Sequence, residues 1–490
     1  MRRFRDTIGL AWPALGVAGS CLTAVAATKV LAHRPTPWWW SVPLPGGHLA
    51  AVHLFWAGVI ALASAWLAIV LRLREHPGAP PRDVLAVAVA WSLPIALGPV
   101  LFSLDLYSYL AQGTLLSSGL NPYRVTPAAL VHLHGQQHLL QTVSTSWRHT
   151  TAPYGPLFTA LAAAAAWLSA GHVMLGIMLL RAVELAGLAL LAVFLPRLAR
   201  ALGADEALAV WLALASPMTL LYLVGGGHNE ALMAGLLVAG VTLAVRRRPL
   251  AAIALCSLAA TVKLPALVAV AMIAACWLHD RPGHRLRALA ASVAMCASVV
   301  FAVGLLAGVG ASWISGSLLT TPQSVRMALT PATALGVTLA HALHALGVSV
   351  NARSLERTLV GLSFRVVALV ALGLCLRVRY ATLVRYLGVA LLLAAIGGPV
   401  AWPWYLAWGA VVLAADPAIQ RSAWLPIALL ACAFFVMPGG QVATPLPQAP
   451  RMLTVYLLAA AIAFAAWMRG GISRVPPGRP ALTWIAGARR

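Results

Sequence analysis

Long apolar stretches alternate with short polar segments along almost the whole chain. Apolar runs that approach or exceed the ~20 residues a helix needs to cross a bilayer recur between residues 9 and 468. The predicted spans are residues 9–31, 48–71, 84–104, 173–195, 206–224, 230–245, 249–263, 265–279, 288–309, 358–376, 386–400, 401–415, 422–437 and 451–468. This pattern predicts an all-α polytopic membrane protein with about 14 transmembrane helices, in a range of roughly 13–16. No internal repeat interrupts it, so residues 1–490 are predicted to form a single integral-membrane domain.

Arginines mark the ends of the spans and predict their orientation. The main arginine-rich segments are residues 2–5, 72–83, 196–200, 246–249, 279–287 and 377–385. The positive-inside rule puts these segments and both termini in the cytoplasm, so the long connections 105–155 and 310–357 face outward. The apolar segment 156–171 is predicted as a short or re-entrant helix. If it crossed the membrane, the arginines at 196–200 would lie on the outer side, against the positive-inside rule. Segment 330–348 is predicted to lie along the membrane interface.

The composition fits a membrane protein. Of the residues, 61% are hydrophobic and 9% are charged, whereas soluble domains carry about 25% charged residues. The net charge of +23 invites a nucleic-acid partner, but the arginines are scattered between apolar segments instead of covering one face. The 6 cysteines lie in apolar segments without a CxxC pair, so the sequence predicts neither a zinc site nor a disulfide framework.

The 11 acidic residues are few enough to be assessed singly. Most lie beside arginines in predicted cytoplasmic loops, where we expect them to be solvated. Glu184 lies inside a predicted span close after Arg181, and we expect an ion pair between them. Asp105, Glu230 and Glu356 are predicted to face outward. An ionisable group at membrane depth indicates function, because its burial is costly.

Asp105 has the most informative surroundings, in the stretch FSLDLYSYLAQG at residues 102–113. In a helix over residues 103–115, Ser108, Tyr109 and Gln112 share the face of Asp105. The opposite face is largely apolar, which predicts an interfacial amphipathic helix. Two interpretations of Asp105 stand at this point: it caps the N-terminus of this helix, or it serves an active site.

A second polar group occupies residues 225–232, GGGHNEAL. Three glycines allow the backbone to approach a ligand closely, and His228, Asn229 and Glu230 follow them. Glu230 also falls in the first turn of the next helix, where a carboxylate is favourable without any function. Both interpretations, a functional site and a favourable helix terminus, stay open for Glu230. His228 has no second ligand at metal spacing, which argues against zinc.

Cations form a third group on the predicted outer side. Lys263 is one of only two lysines, and it either snorkels to the interface or binds an anion. Arg326, Arg353 and Arg357 add positive charge outside, against the general trend. This departure favours an anionic partner such as a lipid phosphate.

Aromatic residues accompany these groups. Trp402, Trp404 and Tyr405 suit an interfacial aromatic belt, and rings that stack on sugars would look the same in sequence. Tyr154 lies in the turn TAPYGPLF, with the same ambiguity.

An outward carboxylate with several cations at the lipid interface suits glycosyl transfer by single displacement from a lipid-phosphate sugar. The carboxylate would take the proton of an acceptor hydroxyl, and positive charge would stabilise the leaving phosphate. A nucleotide-sugar enzyme would normally carry a soluble domain with a phosphate-binding loop, which the sequence does not suggest.

Four stretches then resemble a known family: DLYSYLAQGTLLSSGLNPY (105–123), TAPYGPLF (151–158), GGGHNEALMAGL (225–236) and VKLPAL (262–267). They are similar to the polyprenyl-phosphomannose-dependent α-1,6-mannosyltransferases of actinobacterial cell envelopes, which have the GT-C integral-membrane glycosyltransferase fold. The resemblance implies an inverting enzyme of the plasma membrane with its active site on the extracytoplasmic side. Mannose would pass from polyprenyl-phosphomannose to an α-mannan or lipomannan acceptor in α-1,6 linkage.

The resemblance implies Asp105 as the catalytic general base. No paired-acid DxD motif occurs at 103–107, so we expect no metal or other cofactor, and the scattered arginines predict no nucleic-acid partner. The candidate substrate-binding residues are Tyr107, Tyr109, Gln112, Asn121, Tyr123, Tyr154, His228, Asn229, Glu230, Lys263, Arg326, Arg353, Arg357, Trp402, Trp404 and Tyr405. Two alternatives stay open. One is an α-1,2-mannosyl- or arabinosyltransferase of the same fold, and the other is a transporter or flippase of polyprenyl-linked lipids. Transporters often show inverted repeats with broken helices, and no such repeat is visible here.

Overall fold

A computed structural model of the chain describes residues 8–32, 34–35, 44–315, 330–436, 438–439 and 448–469. These residues form helices joined by mostly short connections. The first helices are α1 (Ala11–Val30), α2 (His48–Glu75), α3 (Pro81–Leu97), α4 (Asp105–Ser117), α5 (Pro156–Ser169), α6 (Val173–Ala201), α7 (Glu206–Leu214) and α8 (Glu230–Val245). Then follow α9 (Pro249–Ala260), α10 (Leu267–Asp280), α11 (Arg285–Leu306), α12 (Pro331–Ala345), α13 (Ala352–Arg377), α14 (Leu383–Gly397), α15 (Ala407–Leu413), α16 (Trp424–Cys432) and α17 (Ala449–Arg469).

Several helices have the length and composition of membrane spans, as the sequence predicted. Among the described residues, 5 helices are long and apolar enough to cross a bilayer. They are Ala11–Val30, His48–Glu75, Val173–Ala201, Pro282–Leu306 and Ala352–Arg377. A sixth candidate is the bent pair of α7 and the π-helix Thr219–Gly225, which meet at 57°. The polytopic helical class is confirmed, and the number of crossings stays a prediction.

The predicted span 84–104 ends earlier than expected. Helix α3 stops at Leu97, and residues 98–104 run without helix up to α4. Pro94 interrupts the hydrogen bonding of α3 from inside, and Gly98, which precedes Pro99, takes an extended backbone. The continuous apolar sequence therefore gives no sign that the helix ends here.

Helix α4 also differs from its expected form. Residues Leu106 to Leu115 are buried on both faces, so α4 is enclosed and is not the half-exposed amphipathic helix that its pattern indicated. It packs closely on α5, where a Cβ on Gly113 would lie 2.2 Å from the carbonyl oxygen of Ala162. The apolar segment after residue 155 forms α5, a helix of 14 residues.

Helices α6 and α8 cross at very short range in the middle of the protein. A Cβ on Gly187 would lie 2.4 Å from the Cα of Leu232, and one on Gly235 would lie 2.3 Å from the carbonyl oxygen of Gly187. Small residues permit such backbone contact between helices in membranes. The crossing fixes the start of α8, which carries Glu230.

Arg181 of α6 holds the non-helical segment before α4. Its Nη1 donates to the carbonyl oxygens of Ala96 and Gly98, at 2.7 and 2.5 Å, and its Nη2 donates to those of Pro99 and Gly225, at 2.9 and 3.0 Å. All four are carbonyls where a helix has ended, so they have lost their intrahelical partners.

The expected ion pair between Arg181 and Glu184 is therefore wrong. The guanidinium turns to backbone carbonyls, and Glu184 Oε2 accepts from the backbone N–H of Leu232 at 3.4 Å. Unsatisfied backbone groups in a low-dielectric interior compete with a carboxylate for the donors of an arginine.

Arg34 holds the same segment from the other side. It donates to the carbonyl oxygens of Val100, Ser103 and Gly439 at 2.9, 3.2 and 2.9 Å. Between these contacts Phe102 has a φ of 60°, a left-handed conformation that non-glycine residues rarely adopt. The two arginines thus fix the backbone that leads to Asp105.

We expect Arg181→Met to destabilise the protein by about 3 kcal/mol or more, because buried carbonyls lose their donors. The apparent melting temperature of the purified protein in detergent measures this loss. Arg197→Met on the exposed side of the same helix is the matched control. Equal melting temperatures for the two variants would contradict a structural role of Arg181.

Candidate active site

Asp105 is the first residue of α4, where the segment held by the two arginines turns into a helix. The N-cap position belongs to Leu104, and no side chain caps this helix. Capping was one of the two interpretations of Asp105, and it is wrong. The backbone N–H of Asp105 donates to Ser103 Oγ at 3.0 Å. Its side chain is 14% exposed, which leaves the carboxylate open to a ligand.

His228 is an ionisable neighbour of that carboxylate. Its Nδ1 lies 3.4 Å from Asp105 Oδ2, and its side chain is fully buried. The imidazole stacks on the Trp404 indole, with centroids 3.9 Å apart and an interplanar angle of 14°. Trp404 in turn stacks on Trp402 at 4.7 Å. The stack holds the imidazole against Asp105.

The glycines predicted to allow a close approach do so between protein segments. Gly227 has a φ of +64°, and a Cβ there would lie 2.4 Å from Leu106 Cδ1. The loop before α8 therefore lies directly against the first turn of α4. This contact brings His228 to Asp105.

Lys263 and Glu230 form an ion pair beside this centre. Glu230 is fully buried at the start of α8, whereas Lys263 follows the end of α9 and is 14% exposed. The ammonium group lies 4.4 Å from the ring centroid of Tyr405, and 5.6 and 5.9 Å from those of Trp408 and Tyr154. Aromatic faces attract a cation at these distances. The ammonium has three donors, so pairing with one carboxylate leaves others for a ligand.

The surroundings of Asp105 favour its ionised form. Burial would raise the pKa of Asp105. The contact with His228, the hydroxyl of Ser103 and the positive charge of Lys263 together outweigh burial and hold this pKa below its ordinary value. Asp105 is therefore a carboxylate at neutral pH, as a proton acceptor must be.

Aromatic rings form one wall of the site. Tyr109 of α4 meets Tyr154 and Phe158 edge to face, each with centroids 4.8 Å apart. Tyr123 supports this wall from behind, because its hydroxyl donates to the carbonyl oxygen of Tyr154 at 2.8 Å. Asn121 in turn supports Tyr123, because its Oδ1 accepts a hydrogen bond from the backbone N–H of Tyr123 at 3.0 Å.

Several buried polar atoms near Asp105 have no hydrogen-bond partner within the described part of the chain. They are Gln112 Nε2, both ring nitrogens of His228, both polar atoms of the Asn229 side chain and Glu230 Oε2. Buried polar groups in proteins are otherwise nearly always paired. These atoms are available to the hydroxyl groups of a ligand.

The structure brings together most of the predicted site residues. The set around Asp105 comprises Tyr109, Tyr154, His228, Glu230, Lys263, Trp402, Trp404 and Tyr405. Tyr107 lies on another side of α4, with its hydroxyl 3.5 Å from the carbonyl oxygen of Pro35. Arg353 and Arg357 are exposed at the start of α13, and a role for them stays a prediction. Arg326 lies outside the described residues.

One residue near the site escaped the sequence analysis, and another was assigned the wrong partner. Trp408 lies under Lys263, and its position three residues after Tyr405 on one helical face was the available signal. Glu184 is buried where α6 meets the start of α8. Its nearness to Arg181 along the chain concealed this second contact.

A group of side chains that could hold a metal ion is a further feature that such a site can contain. Among the residues that the structure describes, no three histidine, cysteine, aspartate or glutamate side chains are grouped so that they could hold a metal ion. Whether the chemistry needs a metal stays a matter of prediction.

Comparison with known proteins identifies the family. A sequence model described as alpha-(1->6)-mannopyranosyltransferase, N-terminal domain, matches residues 13–279. The chain is 36% identical to alpha-(1->6)-mannopyranosyltransferase A of Mycobacterium tuberculosis, over 75% of this chain and 72% of that protein. It is 28% identical to alpha-(1->6)-mannopyranosyltransferase B of Corynebacterium glutamicum, over 72% of this chain and 62% of that protein. No solved structure matches the chain. The resemblance seen in the motifs is confirmed: the chain belongs to the alpha-(1->6)-mannopyranosyltransferase family of glycosyltransferases.

Proposed function

We propose that the protein transfers mannose from polyprenyl-phosphomannose to an α-mannan or lipomannan acceptor, in α-1,6 linkage and with inversion at the anomeric carbon. The observation that carries the proposal is the partly exposed carboxylate of Asp105, which lies beside the buried His228 and within the electrostatic influence of the Lys263 ammonium group. The activity for which its relatives are named supplies the sugar and the linkage.

Asp105 is the general base in this proposal. An acceptor hydroxyl loses its proton to the Asp105 carboxylate while its oxygen forms a bond to the anomeric carbon of mannose. In the same step the bond from that carbon to the phosphate oxygen breaks, and the phosphate leaves with the electron pair. A single displacement of this kind inverts the configuration. The contacts that keep Asp105 ionised support the assignment.

Lys263 stabilises the leaving phosphate. Negative charge grows on the phosphate as the bond breaks, and a fixed ammonium group in a site shielded from water lowers the barrier. Its aromatic surroundings restrict where the ammonium can lie. The remaining donors of Lys263 are then directed to the substrate.

The sugar rings are bound by aromatic faces and by the unpaired amides. Trp402 stacks on Trp404 at the edge of the site, and Tyr109 and Tyr154 form its wall. Gln112 and Asn229 have amide groups free for sugar hydroxyls within the described structure. A pocket of this kind suits neutral hydroxyl-bearing rings beside one anionic group.

The proposed topology is a GT-C fold of about 14 transmembrane helices, with both termini in the cytoplasm and the active site outside. The two ends of α8 support it. Glu230 of the site begins this helix, and the arginines at 246–248 follow its far end. If the arginine-rich end is cytoplasmic, Asp105 and its neighbours lie on the extracytoplasmic side.

We expect Asp105→Asn to lower kcat by roughly 10²- to 10⁴-fold, because the amide cannot accept the proton. The assay uses purified protein with polyprenyl-phosphomannose and a short α-mannoside acceptor. Glu75→Gln, which removes an exposed carboxylate, is the matched control. Full turnover by a folded Asp105→Asn variant would rule out the base. Lipid transport by the parent protein without any glycosidic product would support the flippase instead.

The role of Lys263 is tested in a background that avoids an unpaired buried carboxylate. We expect the double variant Lys263→Met with Glu230→Gln to fold but to lose at least about 100-fold in kcat, the usual scale for one electrostatic stabiliser. Glu230→Gln alone keeps the ammonium and serves as the reference. Equal rates for these two variants would show that Lys263 only neutralises Glu230.

The pH profile tests the contact between His228 and Asp105. This contact lowers the pKa of Asp105, so His228→Gln raises it. The carboxylate then takes up a proton at a higher pH, and we expect the acid limb of kcat/KM to move to higher pH. A purely structural role would reduce the rate without moving the limb.

A further inference from the structure

A basic cavity lies one helix length away from Asp105. It has a volume of about 650 Å³ and is formed where α8 ends, α9 begins, α10 ends and α11 begins. Helix α8 has 16 residues between the active site and this cavity, a distance of about 24 Å at 1.5 Å per residue. The cavity therefore belongs to the opposite end of the helices that build the active site.

Positive charge dominates the lining. Arg247, Arg248, Arg281 and Arg287 line the cavity with one acid, Asp280, which leaves a net charge of +3 with histidine neutral. Arg247 forms an ion pair with Asp280 at 2.7 Å. The other three arginines are exposed, and within the described ranges none of their guanidinium groups has a hydrogen-bond or ion-pair partner.

Arg247 is part of a built structure and not a loose surface charge. Its φ is 60°, a left-handed conformation that costs energy for an arginine. Its guanidinium lies 4.0 Å from the ring centroid of Tyr380. The turn between α8 and α9 thus directs one arginine into the cavity wall and leaves the next, Arg248, open.

Most of the rest of the wall is apolar. It consists of Pro249, Leu250 and Ala251 of α9, Trp277 of α10, and Ala288 and Ala291 of α11, and His284 and Tyr380 complete the lining. A freely soluble anion needs only the charged part of such a cavity. A molecule with a phosphate beside hydrocarbon chains matches both parts.

We propose that this cavity binds the phosphate of an anionic phospholipid, with Arg248, Arg281 and Arg287 on the headgroup and the apolar wall against the start of the acyl chains. Guanidinium groups suit phosphate because they donate two parallel hydrogen bonds. If these arginines only set the membrane topology, their number near the membrane would matter and their positions in the cavity wall would not. The site is separate from the proposed transferase chemistry and does not depend on it.

Native mass spectrometry of the purified full-length protein tests this site, with dioleoylphosphatidylglycerol and dioleoylphosphatidylcholine as probes. We expect phosphatidylglycerol to bind preferentially, and Arg248→Gln and Arg287→Gln each to weaken its binding about tenfold, the scale of one lost hydrogen bond to a charged group. Arg246→Gln and Arg285→Gln are matched controls, since both residues are exposed in the same turns but do not line the cavity. They should bind as the parent does.

Three outcomes would overturn the proposal. Equal losses in the cavity variants and the controls would mean that only the general surface charge matters. Equal binding of both lipids would remove the headgroup from recognition. Displacement of phosphatidylglycerol by millimolar inorganic phosphate, with the same dependence on Arg248 and Arg287, would assign the cavity to free phosphate. The melting temperature of each variant checks that it is folded.

Discussion

Backbone carbonyls without helical partners are the constraint on which the rest of this structure depends. A chain can leave the helical conformation inside a membrane protein only where other groups satisfy its backbone. Arg34 and Arg181 do this for the segment before Asp105, and Arg181 also reaches the carbonyl of Gly225. The same two side chains therefore hold open a gap between helices and set the position of the residue that begins α4. The strained backbone of Phe102 persists because both sides of the gap are fixed.

Contacts with aromatic rings fix the positions of His228 and Lys263 in the site. The imidazole of His228 is fixed by the indole of Trp404, and the ammonium of Lys263 lies among aromatic faces. Charged and polar groups in this site are thus held mainly by rings, whose shape does not change with protonation. Such a wall keeps its geometry while the charges within it alter during a reaction.

The sequence predicted the helical class and most of the helix positions, because apolar runs and arginine-rich turns follow directly from the cost of polar groups in lipid. It also singled out Asp105, Glu230 and Lys263, whose residue types are rare in this chain, and His228 next to them in the motif at 225–232. It failed for Arg181 and Glu184, since proximity along a helix says nothing of partners supplied by distant segments. The early end of α3 was missed for the same reason. An apolar run looks alike whether its backbone is satisfied within a helix or by a distant guanidinium.

The ion pair of Lys263 with Glu230 affects the release of polyprenyl phosphate in the proposed reaction. In the proposed reaction the polyprenyl phosphate left behind meets an ammonium group that already has a carboxylate beside it. That carboxylate stays paired with the ammonium group and offsets part of its positive charge. The affinity for the emptied carrier is therefore lower than a lone lysine would give.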